Sequence, residues 1–253
     1  MADYKIVIPA RYGSSRLPGK PLIMLAGKPM IQHVYERALA TGVQDIVIAT
    51  DDERIRDAAL AFGADVVMTS PDHENGTERI AEVVRTKNIA DEEIVVNVQG
   101  DEPFVPADNI KQVAENLAAS ESWQMSTLCT ELHSPAEVLN PNVVKVVASA
   151  SGRAMYFSRS AIPFARDTMM AEPVSVDPTL YRRHIGLYAY RAQYIKQYVS
   201  YQPSALEHIE SLEQLRALWY DDAIHVALAK CPPPVGIDTP EDLATLLTSL
   251  NAT

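Results

Sequence analysis

Apolar and polar positions along this chain follow two rhythms. Short runs of branched or apolar residues, Ile6-Val7-Ile8, Ile46-Val47-Ile48-Ala49, Val66-Val67-Met68 and Ile94-Val95-Val96-Asn97-Val98, predict strands, the first of them ended by Pro9. Between them lie stretches with apolar residues at helical spacing, around 30–40, over 54–62 and over 77–85. This βαβα order predicts an α/β fold with a Rossmann-like, mostly parallel sheet flanked by helices.

The second half breaks the rhythm. Strands are predicted over 143–148 and 185–190, with a loop rich in charge and proline between residues 163 and 178, and together they describe a smaller mixed α/β lobe. In the segment 207–220, Ile209, Leu212, Leu215 and Trp219 recur at helical spacing, predicting one helix on which Glu210 and Gln214 share another face. A strand over 224–229, a proline run and a helix entered by Thr239-Pro240-Glu241-Asp242 close the chain. The expected organisation is a single domain over 1–253, made of a first part over 1–130, the lobe over 131–223, and a return to the main sheet over 224–253.

The first strand runs into a loop with unusual chemistry. Gly13 and Gly19 allow backbone N–H groups to approach an anion, and Arg11, Arg16 and Lys20 gather three positive charges in a chain of net charge −11. The loop is not a P-loop: five residues separate the glycines and Pro21 follows Lys20. Pro18 and Pro21 also oppose the helix that a dinucleotide fingerprint needs. The acidic balance repels nucleic acid and anionic lipid, so an anionic partner has to be small and captured locally. Two cysteines without metal-ligand spacing, no leader pattern and no apolar run near the roughly 18 residues of a membrane span lead us to expect a protein of the reducing cytoplasm, neither exported nor membrane-spanning.

Ligands of open α/β sheets sit at the carboxyl ends of the strands, so residues 10–20, 50–52 and 99–103 should share a crevice. Asp101, directly after a buried strand, suits a Mg²⁺ ligand, and Asp238, after another short apolar run, suits a second; each also reads as a turn or cap carboxylate. Thr50-Asp51-Asp52 ends a strand and equally suits a helix cap, as Thr77 does in Gly76-Thr77-Glu78-Arg79. His184, Gly186 and Tyr188 share a strand face, where His184 is either a structural residue or part of a polar wall for a polyhydroxylated substrate.

The run Ile8-Pro9-Ala10-Arg11-Tyr12-Gly13-Ser14-Ser15-Arg16-Leu17-Pro18-Gly19-Lys20-Pro21-Leu22 resembles the signature of the sugar cytidylyltransferases. Asn97-Val98-Gln99-Gly100-Asp101-Glu102-Pro103, Tyr156-Phe157-Ser158-Arg159, His184-Ile185-Gly186-Leu187-Tyr188, Leu212-Glu213-Gln214 and Val235-Gly236-Ile237-Asp238 extend the resemblance over nearly the whole chain. It points to the branch using the eight-carbon acid sugar 3-deoxy-manno-octulosonate (Kdo). The resemblance implies that CTP and Kdo give CMP-Kdo and pyrophosphate, with Mg²⁺, in a cytoplasmic homodimer serving lipopolysaccharide biosynthesis. It further implies that Ala10, Arg11, Arg16 and Lys20 hold the triphosphate, and Thr50, Asp51, Gly76 and Thr77 the nucleoside. Lys20, Arg16, Asp101 and Asp238 carry the catalysis, with the two aspartates on Mg²⁺. Arg79, Gln99, Arg159, His184, Tyr188, Glu213 and Gln214 face the sugar, so that the lobe serves sugar binding and dimerisation. A cytidylyltransferase for amino-Kdo or sialic acid, a sugar transferase, for which Gly100-Asp101-Glu102 replaces the usual Asp-x-Asp, and a non-catalytic nucleotide-binding regulator are the alternatives.

Overall fold

The computed structural model describes residues 2–13, 17–171 and 175–232. Its first half contains β1 (Tyr4–Ala10), the two-residue strands β2 (Met24–Leu25) and β3 (Lys28–Pro29), α1 (Met30–Leu39), β4 (Ile46–Thr50), α2 (Glu53–Ala61), β5 (Asp65–Met68), α3 (Gly76–Thr86), β6 (Ile94–Asn97) and α4 (Ala107–Ala118). The second half contains β7 (Met125–Glu131), α5 (Pro135–Leu139), β8 (Lys145–Ala148), β9 (Ala154–Ser158), α6 (Arg166–Met169), β10 (Arg182–Arg191), α7 (Ala192–Tyr198), α8 (Ala205–Glu210), α9 (Leu215–Trp219) and β11 (Ile224–Leu228).

The main sheet runs β11-β7-β10-β6-β1-β4-β5, with β8 and β9 attached beyond β10. All pairs along this path are parallel except those of β10, which runs against both β6 and β7. The apolar runs explain the order. Ile6, Ile8, Ile48 and Val96 face one helix layer, while Val7, Val47, Ala49 and Val95 face the other, and each set is buried in its own core cluster. The strand order reverses at β1, whose neighbours β4 and β6 are reached by chain running in opposite directions along the sheet. A crevice at the carboxyl ends of β1 and β6 follows from that reversal.

β1 does not stop before Pro9 but runs through it to Ala10. Residues 7 and 9 turn their hydrogen-bonding groups toward β6, whose strand ends at Asn97, so the N–H that proline lacks has no strand to meet there. The ladder persists on the acceptor side, with Val98 N–H donating to the Val7 carbonyl at 3.1 Å and Gly100 N–H to that of Pro9 at 3.3 Å. Gly100 fits because a Cβ there would lie 2.7 Å from the Pro9 carbonyl oxygen. At Gly19, φ is +71° and the Tyr12 ring fills the space a side chain would need.

Two expectations need correction. The helix expected over 207–220 is two helices, α8 and α9, broken at Ser211, which sits in the left-handed region at φ 51°. Glu210 and Gln214 therefore lie on different elements. The second correction concerns β7 and α4, which the apolar pattern did not predict. As for the partition at 131, β10 lies beyond it in sequence, yet its residues 185–191 are main-sheet strand. The lobe is the continuation of β7 and β10 past the carboxyl mouth, joined there by β8 and β9 and filled by Leu132, Val138, Val176 and Tyr181. The helix expected at Thr239 lies outside the described residues.

Candidate active site

Three strand ends converge on the crevice. Ala10 ends β1 and is buried, Arg11 follows it and is exposed, and the chain returns through Gly19 to a 3₁₀ turn at Lys20–Leu22. Lys20 is 6% exposed and its Nζ donates to Asp101 Oδ2 at 2.7 Å, which joins the basic loop to the carboxylate after β6. The two residues are 81 apart in sequence and meet because β1 and β6 are neighbours. Arg16 and Asp238 lie outside the described residues.

At the end of β4, Asp52 takes the capping role, accepting from Arg54 N–H at 2.9 Å, while buried Thr50 accepts from Asp52 N–H at 3.2 Å. Asp51 is thereby left to pair with Arg79 Nη2 at 3.0 Å. Arg79, itself 3% exposed, also donates to Thr69 Oγ1, so the structure ties it to the ends of β4 and β5. Asn75, not Thr77, caps α3. Gly76 then packs on Pro9 and Asn97, and Thr77 turns its hydroxyl to Tyr190 Oη and Glu213 Oε1, both at 3.5 Å.

The opposite wall is β10 with the turn before α9. A bulge between Ile185 and Tyr188 is held by Thr127, whose Oγ1 lies 3.0 and 2.9 Å from the carbonyls of Ile185 and Leu187. The Thr127 hydroxyl has one proton and gives it to a carbonyl, so His184, 3.1 Å away, must donate to it from Nε2. Burial, reinforced by Arg183, pushes the His184 pKa down to about 3. The ring is neutral and offers Nδ1 as an acceptor. It packs edge-on against Phe157 and tilted against Tyr188, which in turn stacks on Tyr190. Gln99 Nε2 reaches Asn97 Oδ1 at 3.5 Å. Arg159 commits three N–H groups to the carbonyls of Glu210, Pro141 and Ser211, leaving two of its five donors.

Three buried polar atoms of the crevice have no hydrogen-bond partner among the described residues. Asn97 Nδ2, Tyr188 Oη and Gln214 Nε2 are all in this state. Tyr188 and Asn97 are paired across β10 and β6, so two of the three lie side by side beneath the crevice. Such groups are costly unless a ligand or water completes them.

Residues 5–224 match the cytidylyltransferase family. The chain belongs to that family. The 3-deoxy-manno-octulosonate cytidylyltransferase of Alteromonas mediterranea is 62% identical over 248 residues, covering 98% of this chain and 100% of that protein. The enzyme of the same name from Vibrio vulnificus is 60% identical over 241 residues, 95% of each chain. Among solved structures, CMP:2-keto-3-deoxy-manno-octonic acid synthetase complexed with CTP superposes with a TM-score of 0.87 at 42% identity, covering 99% of both chains. A nucleotidyl transferase from Methanothermobacter, at 16% identity and a TM-score of 0.59, shares the fold.

In this cytidylyltransferase, Asn97 and Tyr190 lie beside Gly76 and Thr77 from inside strands and are not among the site residues expected from the sequence. The one signal that could have found Asn97 is an amide in an otherwise apolar run. Glu213 has the most altered carboxyl of the site. Burial, then repulsion from Glu207, raises its pKa from 4.5 to about 7. Folded protein therefore keeps a proton that the unfolded chain has released between these two values, and stability falls as pH rises through this window. Glu213→Gln is expected to flatten that slope and to unfold at higher urea than the parent at pH 8. Equal urea midpoints for the two proteins across pH 5–8 would contradict it.

Proposed function

We propose that this cytidylyltransferase transfers CMP from CTP to the anomeric hydroxyl of Kdo, releasing pyrophosphate, for lipopolysaccharide biosynthesis. The observation that carries the reading is the relative of 62% identity, matched over its full length and named for that reaction. The geometry supports it with two half-sites on one crevice. Lys20, Asp101, Thr50, Asp51, Gly76 and Thr77 belong to the nucleotide side, and His184, Tyr188, Glu213 and Gln214 form a polar wall opposite.

The sugar hydroxyl attacks the α-phosphorus in line and pyrophosphate leaves, with no covalent enzyme intermediate. An anionic sugar meets an anionic triphosphate, so charge has to be neutralised before positioning can help. Lys20 and Arg11, with Arg16, are the cations of the loop. Arg159 retains N–H donors for the sugar carboxylate. Neutral His184, through Nδ1, accepts from a sugar hydroxyl. The Asp101 carboxylate is 42% exposed and gives one oxygen to Lys20, leaving the other for a cation, which fits Mg²⁺ held by one or two protein carboxylates and phosphate oxygens. We assign Asp101 and Asp238 to it; when bound, Mg²⁺ supplies charge neutralisation at the phosphates and a lowered pKa for the attacking hydroxyl.

The reading includes a homodimer built on the lobe, where Met155, Phe164, Met170 and Leu180 are exposed. It also places the enzyme in the cytoplasm, where CTP is made; among the described residues no helix is long and apolar enough to cross a membrane. The deciding experiment is incubation with CTP, Mg²⁺ and Kdo, scored for pyrophosphate beside amino-Kdo and sialic acid. No release with Kdo, or faster release with another sugar, overturns the reading. Gln214→Ala is expected to raise KM for Kdo or lower kcat while KM for CTP changes little, since the lost group faces the sugar. Calorimetric titration showing weaker CTP binding with the Kdo step intact would contradict the division into half-sites.

A further inference from the structure

Behind the turn that carries Glu213 and Gln214 lies a buried polar network of which the reaction above uses only Arg159. Lys145, at the start of β8, is fully buried, and its ammonium donates to the carbonyls of Asn140 at 2.9 Å, Val143 at 2.6 Å and Arg159 at 2.6 Å. These three bonds use all of its donors. The end of β9 is thereby pinned, and from it Glu210, the last residue of α8, is gripped twice. Ser158 hydroxyl donates to its Oε1 at 2.6 Å and Arg159 N–H to its Oε2 at 2.9 Å. Arg159 Nε takes the Glu210 carbonyl at 2.6 Å and Nη2 the Ser211 carbonyl at 3.3 Å.

The grip falls on the residue that breaks the helix. Ser211 holds φ 51° and ψ 50°, a left-handed conformation that a residue with a side chain keeps only where its surroundings over-determine it. If Ser211 relaxed, the chain would continue α8 and rotate Glu213 and Gln214 away from Thr77 and the unpartnered wall. On the far side of the turn, Tyr198 Oη donates to the Glu213 carbonyl at 2.9 Å.

We propose that Lys145 and Glu210 are positioning residues for the sugar half-site: through the end of β9 they hold Ser211 in the left-handed turn that presents Glu213 and Gln214 to the substrate. The inference rests on the reading above that these two residues face the sugar acid. It differs from a merely stabilising role in acting on one substrate and one turn. The two like-charged cations, Lys145 and Arg159, are tolerated together because the Glu210 carboxylate offsets the charge of Lys145 against that of Arg159, while the Lys145 ammonium is held by backbone carbonyls alone.

Glu210→Gln keeps the size and one acceptor of the side chain and removes the second acceptor. Its KM for Kdo is expected to rise about tenfold, with KM for CTP within about twofold of the parent, the scale of one lost buried bond to an ionised group. Amide hydrogen exchange at 211–215 is expected to speed up while the amides of β6 and β10 keep their protection. Lys145→Met should give the same split. Parallel rises in both KM values, or unchanged exchange at 211–215, overturn the proposal. Should either variant not fold, Ser158→Ala, which removes the hydroxyl that donates to Glu210 Oε1 and accepts from Ser160 N–H, is read by the same two measurements with the same outcomes. If the parent releases no pyrophosphate from CTP and Kdo, the functional reading fails, and exchange at 211–215 still decides whether the turn is held this way.

Discussion

Lys20→Ala is expected to lower kcat/KM by roughly 10²-fold or more, the scale of losing one preorganised group that meets developing charge. The side chain is buried at the mouth of the sheet, and its ammonium lies 2.7 Å from the Asp101 carboxylate. Bound phosphates would share that ammonium with Asp101, so its removal strips positive charge from the nucleotide side and leaves a carboxylate facing an anionic substrate. The fold should survive, because Lys20 lies on a short 3₁₀ turn outside the core clusters. Pyrophosphate release under steady-state conditions, with a melting curve as control, is the measurement. Near-normal turnover would remove Lys20 from the chemistry.

Asp101→Asn should abolish Mg²⁺-dependent turnover while CTP binding survives in weakened form. The amide keeps the shape and an oxygen to accept from Lys20, so what changes is the charge offered to a cation. Asp238→Asn is expected to behave alike, and the double variant to lose about as much as either single one, because in the proposed function both carboxylates act on one metal. Turnover measured over a Mg²⁺ titration checks this. Losses that simply add would show that the two aspartates serve separate tasks.

The parallel part of the sheet was legible because strands covered on both faces must be apolar throughout, and Ile6-Val7-Ile8 and Val95-Val96 are short runs of β-branched residues, which favour strand. β7 escaped because Met125-Ser126-Thr127-Leu128-Cys129-Thr130 carries hydroxyls into a buried position. Thr127 is fully buried only because the bulge in β10 supplies it with carbonyls, a tertiary fact with no local trace. α4 was missed for a related reason, since its Asn109 and Gln112 are buried against the backbone of residues 228–231. The break at Ser211 is marked by no glycine, and the Ser211 carbonyl is met by Arg159, just past β9 and far away in sequence. For the site, Lys20 and Asp101 stood out as polar residues next to buried strands, whereas Asn97 and Tyr190 lie inside strands and were hidden by the same apolar rule.

The reversed direction of β10 has a consequence for how the chain is made. The strand that seals the gap between β6 and β7 is synthesised after both, so each waits with an open edge until residue 191 has left the ribosome. A nascent chain stopped at residue 130 holds the loop, Thr50, Asp51, Gly76, Thr77 and Asp101, yet lacks the strand that covers Asn97. Binding of CTP during translation is therefore expected to begin only after β10 has emerged, and the sugar wall is completed later still, when Glu213 and Gln214 follow.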